Sequence, residues 1–188
     1  MNKNGLATKH NLIIVGSARG VNKFYTIDLL MNYFNNAKVI TTSKLISSIL
    51  NDLNLPCLEK ISLVDYSKYV EPTITRIILS HLEHCDVIVD TTFYYIFQGI
   101  SAKEILKFYN HINKTILILV SDNPENIKQT NYGEWFNNIN NLQQDILLNE
   151  YSFKFYISLF STFSLVNQCE IKMQENSKEN INSFLGGL

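Results

Sequence analysis

Arginine is nearly missing. Arg19 and Arg76 are the two in a chain of 188 residues that carries fourteen lysines. Enzymes that hold a phosphoryl group in flight favour arginine, because its planar fork grips phosphate oxygens bidentately and loss of a finger arginine costs roughly 10³ to 10⁵ in rate. A phosphotransferase of ordinary make would be short of cations here. Cysteine is scarce too: Cys57, Cys85 and Cys169 are odd in number and lack C-x-x-C spacing. That excludes a disulfide framework and a zinc site, and we read all three as small buried apolar residues. Net charge of one sign is absent, at −1 with a pI near 6.4, which removes the electrostatic footprint of a nucleic-acid binder or a membrane-surface protein. No apolar run is long enough for a membrane span. The richest, Tyr151 to Val166, has sixteen residues and is broken by Lys154, against the roughly 20 that a spanning helix needs. Met1 to His10 is polar, with two lysines and no apolar stretch before a cleavage site, so it is no secretory signal, and a cytoplasmic location is expected. No linker rich in Gly, Pro or Ser interrupts the chain and no internal repeat is visible, which predicts one domain over residues 1–188.

What is present is apolar periodicity. Nearly half the residues are apolar, enough to fill a core. Runs of four to six recur at Leu12 to Val15, Lys38 to Thr41, Asp86 to Asp90, Thr115 to Val120 and Cys169 to Met173. Short continuous apolar runs between helical patterns are the mark of parallel strands covered on both faces. Helical spacing fits Asn22 to Asn35, Ser43 to Asn51, Glu71 to His84, Ser101 to His111, Asn141 to Val166 and Ser177 to Leu185. The expected fold is therefore α/β: three layers, α/β/α, around a five-stranded parallel sheet. Thr130 to Asn141, rich in asparagine and holding the one tryptophan, reads as an exposed connection where a phosphotransferase would carry its lid.

The first strand runs into Gly16-Ser-Ala-Arg-Gly-Val-Asn-Lys23 and then a helix. A phosphate-binding loop has this layout, and its full motif is G-x-x-x-x-G-K-[ST]: glycines let backbone N–H groups close on phosphate, lysine neutralises it, and the hydroxyl holds Mg²⁺. With Lys23 in register, Ser17 and Asn22 replace the two glycines and Phe24 replaces the hydroxyl residue. Candidate nucleotide-binding residues are thus Ser17, Ala18, Arg19, Gly20, Val21, Asn22 and Lys23. A turn that merely uses glycine geometry and binds nothing explains the loop as well. Against that plain reading, a lysine at a helix start facing a closed loop is costly to keep without an anion.

With that order of elements, the chain resembles the archaeal type of adenylate kinase, a P-loop nucleoside-monophosphate kinase. The likeness rests on Ile13 to Lys23, on Asp86-Val-Ile-Val-Asp-Thr91, on Val120-Ser-Asp-Asn-Pro-Glu-Asn-Ile127 and on Cys169 to Asn176 ahead of a last helix. It implies ATP or another adenine nucleotide as ligand, Lys23 as the phosphate-binding lysine, and Asp90 as the acid that organises Mg²⁺ and its waters. Other family parts are missing. A phenyl ring at Phe24 cannot ligate Mg²⁺, which requires oxygen. Cys57 to Leu63 offers Glu59 and Lys60 in place of the monophosphate-binding arginine, Thr92 stands for the histidine after Asp-Thr, and residues 130–141 form a reduced lid with no cation and Glu134. Lost together, these are the parts on which electrostatic catalysis of phosphoryl transfer depends. The expectation is a catalytically silenced relative that binds nucleotide or serves as a scaffold or interaction subunit, with no metal site. The alternative is an active phosphotransferase with a non-standard loop whose lysines act as point charges.

Two rival readings fare less well. A short-chain dehydrogenase turn would need a Tyr-x-x-x-Lys pair, and no tyrosine here has a lysine four residues on. His81, His84, Cys85 and Asp86 suggest a metal cluster, but two histidines at i, i+3 before a buried strand better suit a helix C-terminus. Asp122 and Glu125 around Pro124 most simply prepare a helix start. Phe153, Tyr156, Ile157, Phe160 and Phe163 fall on one helical face, which is either core or a contact with a second subunit or another protein through 151–166.

Overall fold

Leu12, Ile13, Ile14 and Val15 are all fully buried, and alternate members of this run enter two different cores. Successive strand side chains point to opposite faces, so a run buried at every position must be covered on both. In the computed structural model, which describes residues 9–18, 20–57, 60–92, 112–122, 127, 139–161, 166–172 and 177–188, this run lies in β1 (His10–Ser17), the middle strand of the sheet. The others are β2 (Lys38–Thr41), β3 (Val87–Thr91), β4 (Ile112–Ser121) and β5 (Val166–Lys172). All pair in parallel, in the order β2-β3-β1-β4-β5.

Six α-helices flank the sheet among the described residues: α1 (Phe24–Tyr33), α2 (Thr42–Asp52), α3 (Leu63–Asp65), α4 (Glu71–Leu82), α5 (Ile139–Ser161) and α6 (Ser177–Gly186). Leu12 and Ile14 face a core closed by Ile46 of α2, Ile74 and Ile78 of α4, and Phe153, Tyr156 and Phe160 of α5. Ile13 and Val15 face the other, closed by Leu30 of α1 and by Ile181 and Leu185 of α6. Each such side chain removed from water stabilises the fold by about 1.5–3 kcal/mol. β1 therefore leads to a helix on one face while its neighbour β4 is followed by α5 on the other. Adjacent strands whose connections part in this way leave a crevice at their carboxyl ends, the usual ligand site of open α/β sheets.

Helix boundaries differ from expectation in instructive ways. The helix expected from Glu71 does begin there, but helical backbone the sequence did not announce precedes it: Ser62 Oγ accepts the Asp65 N–H at 3.1 Å and caps α3, and a π-helical turn over Tyr66–Val70 joins α3 to α4. Pro72 follows that turn. Its ring opposes the carbonyl four residues back, and the widened turn, in which the Glu71 N–H reaches Tyr66 O, relieves the conflict. The helix expected from Asn141 to Val166 instead runs from Ile139 to Ser161, so the last three residues of the expected lid are helical and Val166 opens β5 opposite Thr115. Residues 130–138 and the helix expected at 101–111 lie outside the described residues. Cys57 is exposed and Cys85 half-buried, contrary to the reading of both as core, because Cys57 follows Pro56 in the loop after α2 and Cys85 sits in the turn after α4.

Candidate functional site

At the end of β1 the described residues of the loop turn largely into the protein. Ser17, the last residue of β1, is buried and its hydroxyl donates to the Ala18 carbonyl at 2.9 Å. Ala18 and Val21 turn inward and join the core beneath α1. Gly20 sits at φ 81°, left-handed backbone that a side chain would strain, and so permits the reversal between them. The Val21 N–H closes this turn onto Ala18 O at 3.4 Å, and the Phe24 N–H, at the start of α1, is taken by Asn22 Oδ1 at 2.9 Å. Two backbone donors that a phosphate would seek are thus already engaged.

Lys23 is engaged as well. Its Nζ stands 2.9 Å from Asp90 Oδ1 and donates to the Thr91 carbonyl, with 14% of the lysine side chain and 19% of the aspartate exposed. Asp90 Oδ1 is sealed from solvent and receives no other donor among the described residues; Lys23 meets it as an ion pair rather than along a well-angled hydrogen bond. β3 lies beside β1 with Val15 opposite Asp90 and Gly16 opposite Thr91, which brings the aspartate to the loop. Burial pushes the Lys23 ammonium below its ordinary pKa, and the carboxylate opposes this without cancelling it. Below the pair, Thr42 at the start of α2 donates to Thr91 Oγ1 at 2.9 Å, and Thr91 Oγ1 donates to Thr92 O at 3.2 Å. On the β4 side, Asp122 and Glu150 line a narrow depression with Ala18, Val21, Ser121 and Asn149.

Of the residues expected at a nucleotide site, Lys23 and Asp90 are therefore brought together, Ser17, Ala18 and Val21 are turned into the protein, and the Asn22 side chain accepts the Phe24 N–H. Arg19 lies outside the described residues. Phe24 is 77% exposed at the mouth of the loop, where a metal-binding hydroxyl would stand. Reading the sequence missed Thr42, which follows β2 with no intervening loop, and missed Asp122 and Glu150 as neighbours of the loop. The first had a signal in the Thr41-Thr42 junction; the other two are brought near only by the pairing of β4 with β1.

A fit to nucleotide and Mg²⁺ can be judged from these donors. Gly20, the N-terminus of α1 and Lys23 suit a phosphate chain once Lys23 turns from Asp90. For Mg²⁺, Phe24 supplies no oxygen, and Asp90 is the carboxylate within reach of the loop lysine; Mg²⁺ commonly uses one or two carboxylates with the substrate phosphates supplying the rest. Among the described residues no group of three His, Cys, Asp or Glu side chains is arranged to hold a metal ion. His81 lies in the last turn of α4, where its carbonyl accepts the N–H groups of His84 and Cys85 and the Cys85 thiol. Asp86 Oδ1 instead accepts the Asn11 N–H at 2.7 Å.

The aromatic face of α5 is core: Phe153, Tyr156 and Phe160 are buried and Ile157 packs against them, while Phe163 lies outside the described residues. Leu147, Leu148 and Tyr151, on the other side of that helix, are exposed. No helix among the described residues is long and apolar enough to cross a membrane.

The fold defines a class, an α/β fold of helices around a parallel sheet, and solved kinase structures share it. A shikimate kinase from Acinetobacter baumannii, solved with shikimate, overlays on the chain with a TM-score of 0.53 at 14% identity, covering 95% of this chain and 92% of that one. TT1252 from Thermus thermophilus overlays at 0.51 and 13% identity, covering 96% and 99%. At such identities the likeness establishes the fold alone. No family model matches the chain, and no curated protein matches it significantly.

Proposed function

We propose that the chain is a degenerate nucleoside-monophosphate-kinase-like protein, related to the archaeal adenylate kinases, that binds a nucleotide without transferring its phosphate. One domain over residues 1–188 carries the site, with Gly20 and Lys23 holding phosphate and Asp90 beside them. The observation behind this reading is the state of Lys23: a lysine placed at the start of α1 by a phosphate-loop scaffold, yet held by Asp90 and the Thr91 carbonyl. The exposed Phe24 supports the loss of transfer chemistry, since no oxygen is offered where Mg²⁺ would be gripped. ATP or another adenine nucleotide is the ligand implied, in a cytoplasmic setting. Exposed Leu147, Leu148 and Tyr151 support a further role as a subunit that contacts a protein partner through the outer side of α5.

The test is thermal unfolding with ATP, ADP and AMP, each with and without Mg²⁺. A ligand at a hundred times its Kd adds about 2.7 kcal/mol, read as a shift of a few degrees for a domain of this size. The expected result is a shift with ATP that Mg²⁺ does not enlarge, and a Phe24→Thr variant in which Mg²⁺ does enlarge it. A Mg²⁺-dependent shift in the unaltered protein, with phosphotransfer that Lys23→Ala abolishes, would establish an active kinase instead.

A further inference from the structure

We infer that Asp90 is the residue that selects the ligand class of this site: it competes for Lys23, so that polyphosphates enter and single phosphate groups do not. The inference rests on the nucleotide-binding reading above and concerns what that site admits. Lys23 is satisfied by the chain's own groups, a carboxylate at 2.9 Å and a backbone carbonyl. An incoming anion must therefore offer the ammonium more than these two oxygens do together. Asp90 also stays behind once its cation leaves, with Oδ1 sealed from water and no hydrogen-bond donor to it among the described residues. Stripping a partner from a buried charge is costly, and this sets a threshold that a ligand with one phosphate group has less binding energy to clear than one with three.

The surroundings raise the threshold. Asp122 and Glu150 share a depression with Ala18 and Val21 on the β4 side of the loop. The N–H groups of Val21 and Phe24 are spent within the loop. A monophosphate meets Lys23 with a single dianionic group and must displace Asp90 alone. A triphosphate chain brings two further charged groups that can lie along the N-terminus of α1 while one of them takes the lysine, where helix dipole and backbone donors favour anions. Lysine suits such an exchange because its ammonium swings on a flexible four-carbon stem as a point charge.

Calorimetric titration with inorganic tripolyphosphate and with inorganic phosphate, both free of metal, tests this on the full chain. The unaltered protein should bind tripolyphosphate and show no heat with phosphate. Asp90→Asn should bind tripolyphosphate at least about tenfold more tightly, equivalent to about 1.4 kcal/mol, and should acquire measurable phosphate binding. Lys23→Met combined with Asp90→Asn should lose that gain. If the gain persists without Lys23, loss of a nearby negative charge explains it and competition is wrong. If Asp90→Asn and the unaltered protein bind tripolyphosphate equally, the site binds but Asp90 does not select. If neither binds, the loop is no anion site and the proposed function falls with the inference. Should Asp90→Asn fail to fold, the rate at which an amine-reactive acylating reagent modifies Lys23 in the unaltered protein decides. Tripolyphosphate should change that rate relative to Lys38 and Lys44 and phosphate should not; equal rates throughout would overturn the inference.

Discussion

β3 carries an aspartate at each end, and the two are satisfied in opposite ways. Asp86, just before the strand, takes a backbone N–H from Asn11 at 2.7 Å, has His10 Nδ1 at 3.7 Å, and gives its own carbonyl to the Lys38 N–H at 2.8 Å. It fastens the starts of β1 and β2 to β3 through groups that cannot move without moving the sheet. Asp90, at the other end, is held by a lysine side chain. The contrast separates architecture from function: a carboxylate fixed by main chain belongs to the fold, and one fixed by a side chain on a flexible stem is free to exchange partners.

Substitutions can break that contrast or sharpen it. Asp86→Ala should have the largest effect, a loss of about 2–3 kcal/mol, since it removes a charged acceptor from a main-chain donor. Urea denaturation would show it as a lowered midpoint, with Asp86→Asn recovering much of the loss. Lys23→Met and Asp90→Asn should each cost less, about 1–2 kcal/mol, and a double-mutant cycle should return a coupling of about 1 kcal/mol. Coupling near zero would make the 2.9 Å pair a geometric accident.

Smaller still is Tyr66→Phe. The Tyr66 hydroxyl is buried without a hydrogen-bond partner among the described residues, so deleting it should be neutral or stabilising by up to about 1 kcal/mol. The same variant should change the alkaline limb. Burial, reinforced by Glu71, raises the pKa of Tyr66 and of Tyr156 above the ordinary 10.0. The folded chain thus keeps both protons where the unfolded chain loses them, and stability falls as pH climbs past 10.0. Tyr66→Phe should make that fall shallower. Lys23 acts with the other sign: its folded pKa lies below 10.5, the unfolded chain binds the extra proton in the window beneath that value, and stability there rises with pH until Lys23→Met removes the rise.

The sheet was legible because burial on both faces leaves unbroken apolar runs, as in Leu12 to Val15. The loop was legible because Gly20 and Lys23 stand at fixed offsets from a strand. What was not legible depends on pairing over distance. Nothing local to Lys23 says that Asp90 will hold it, and nothing in Tyr151 to Val166 marks where α5 stops, because a Leu-Val pair fits a helix until β4 offers Val166 a ladder. The start of α4 at Glu71 was legible, with Pro72 in its first turn, but α3 and the π turn that bring helical backbone up to it were not.

Strand order also bears on how the chain is made. β1 is translated first but finds its partners 75 residues later in β3, with Leu12 opposite Val87, and later still in β4. At about 5–20 residues per second, a ribosome needs roughly 4–15 s to supply that first partner. For that interval Leu12-Ile-Ile-Val15 is an unpaired apolar segment on a nascent chain, the hazard that slow, non-local parallel pairing creates. A chaperone that holds short apolar segments would be needed most at this point of synthesis, well before the loop and its lysine have anything to bind.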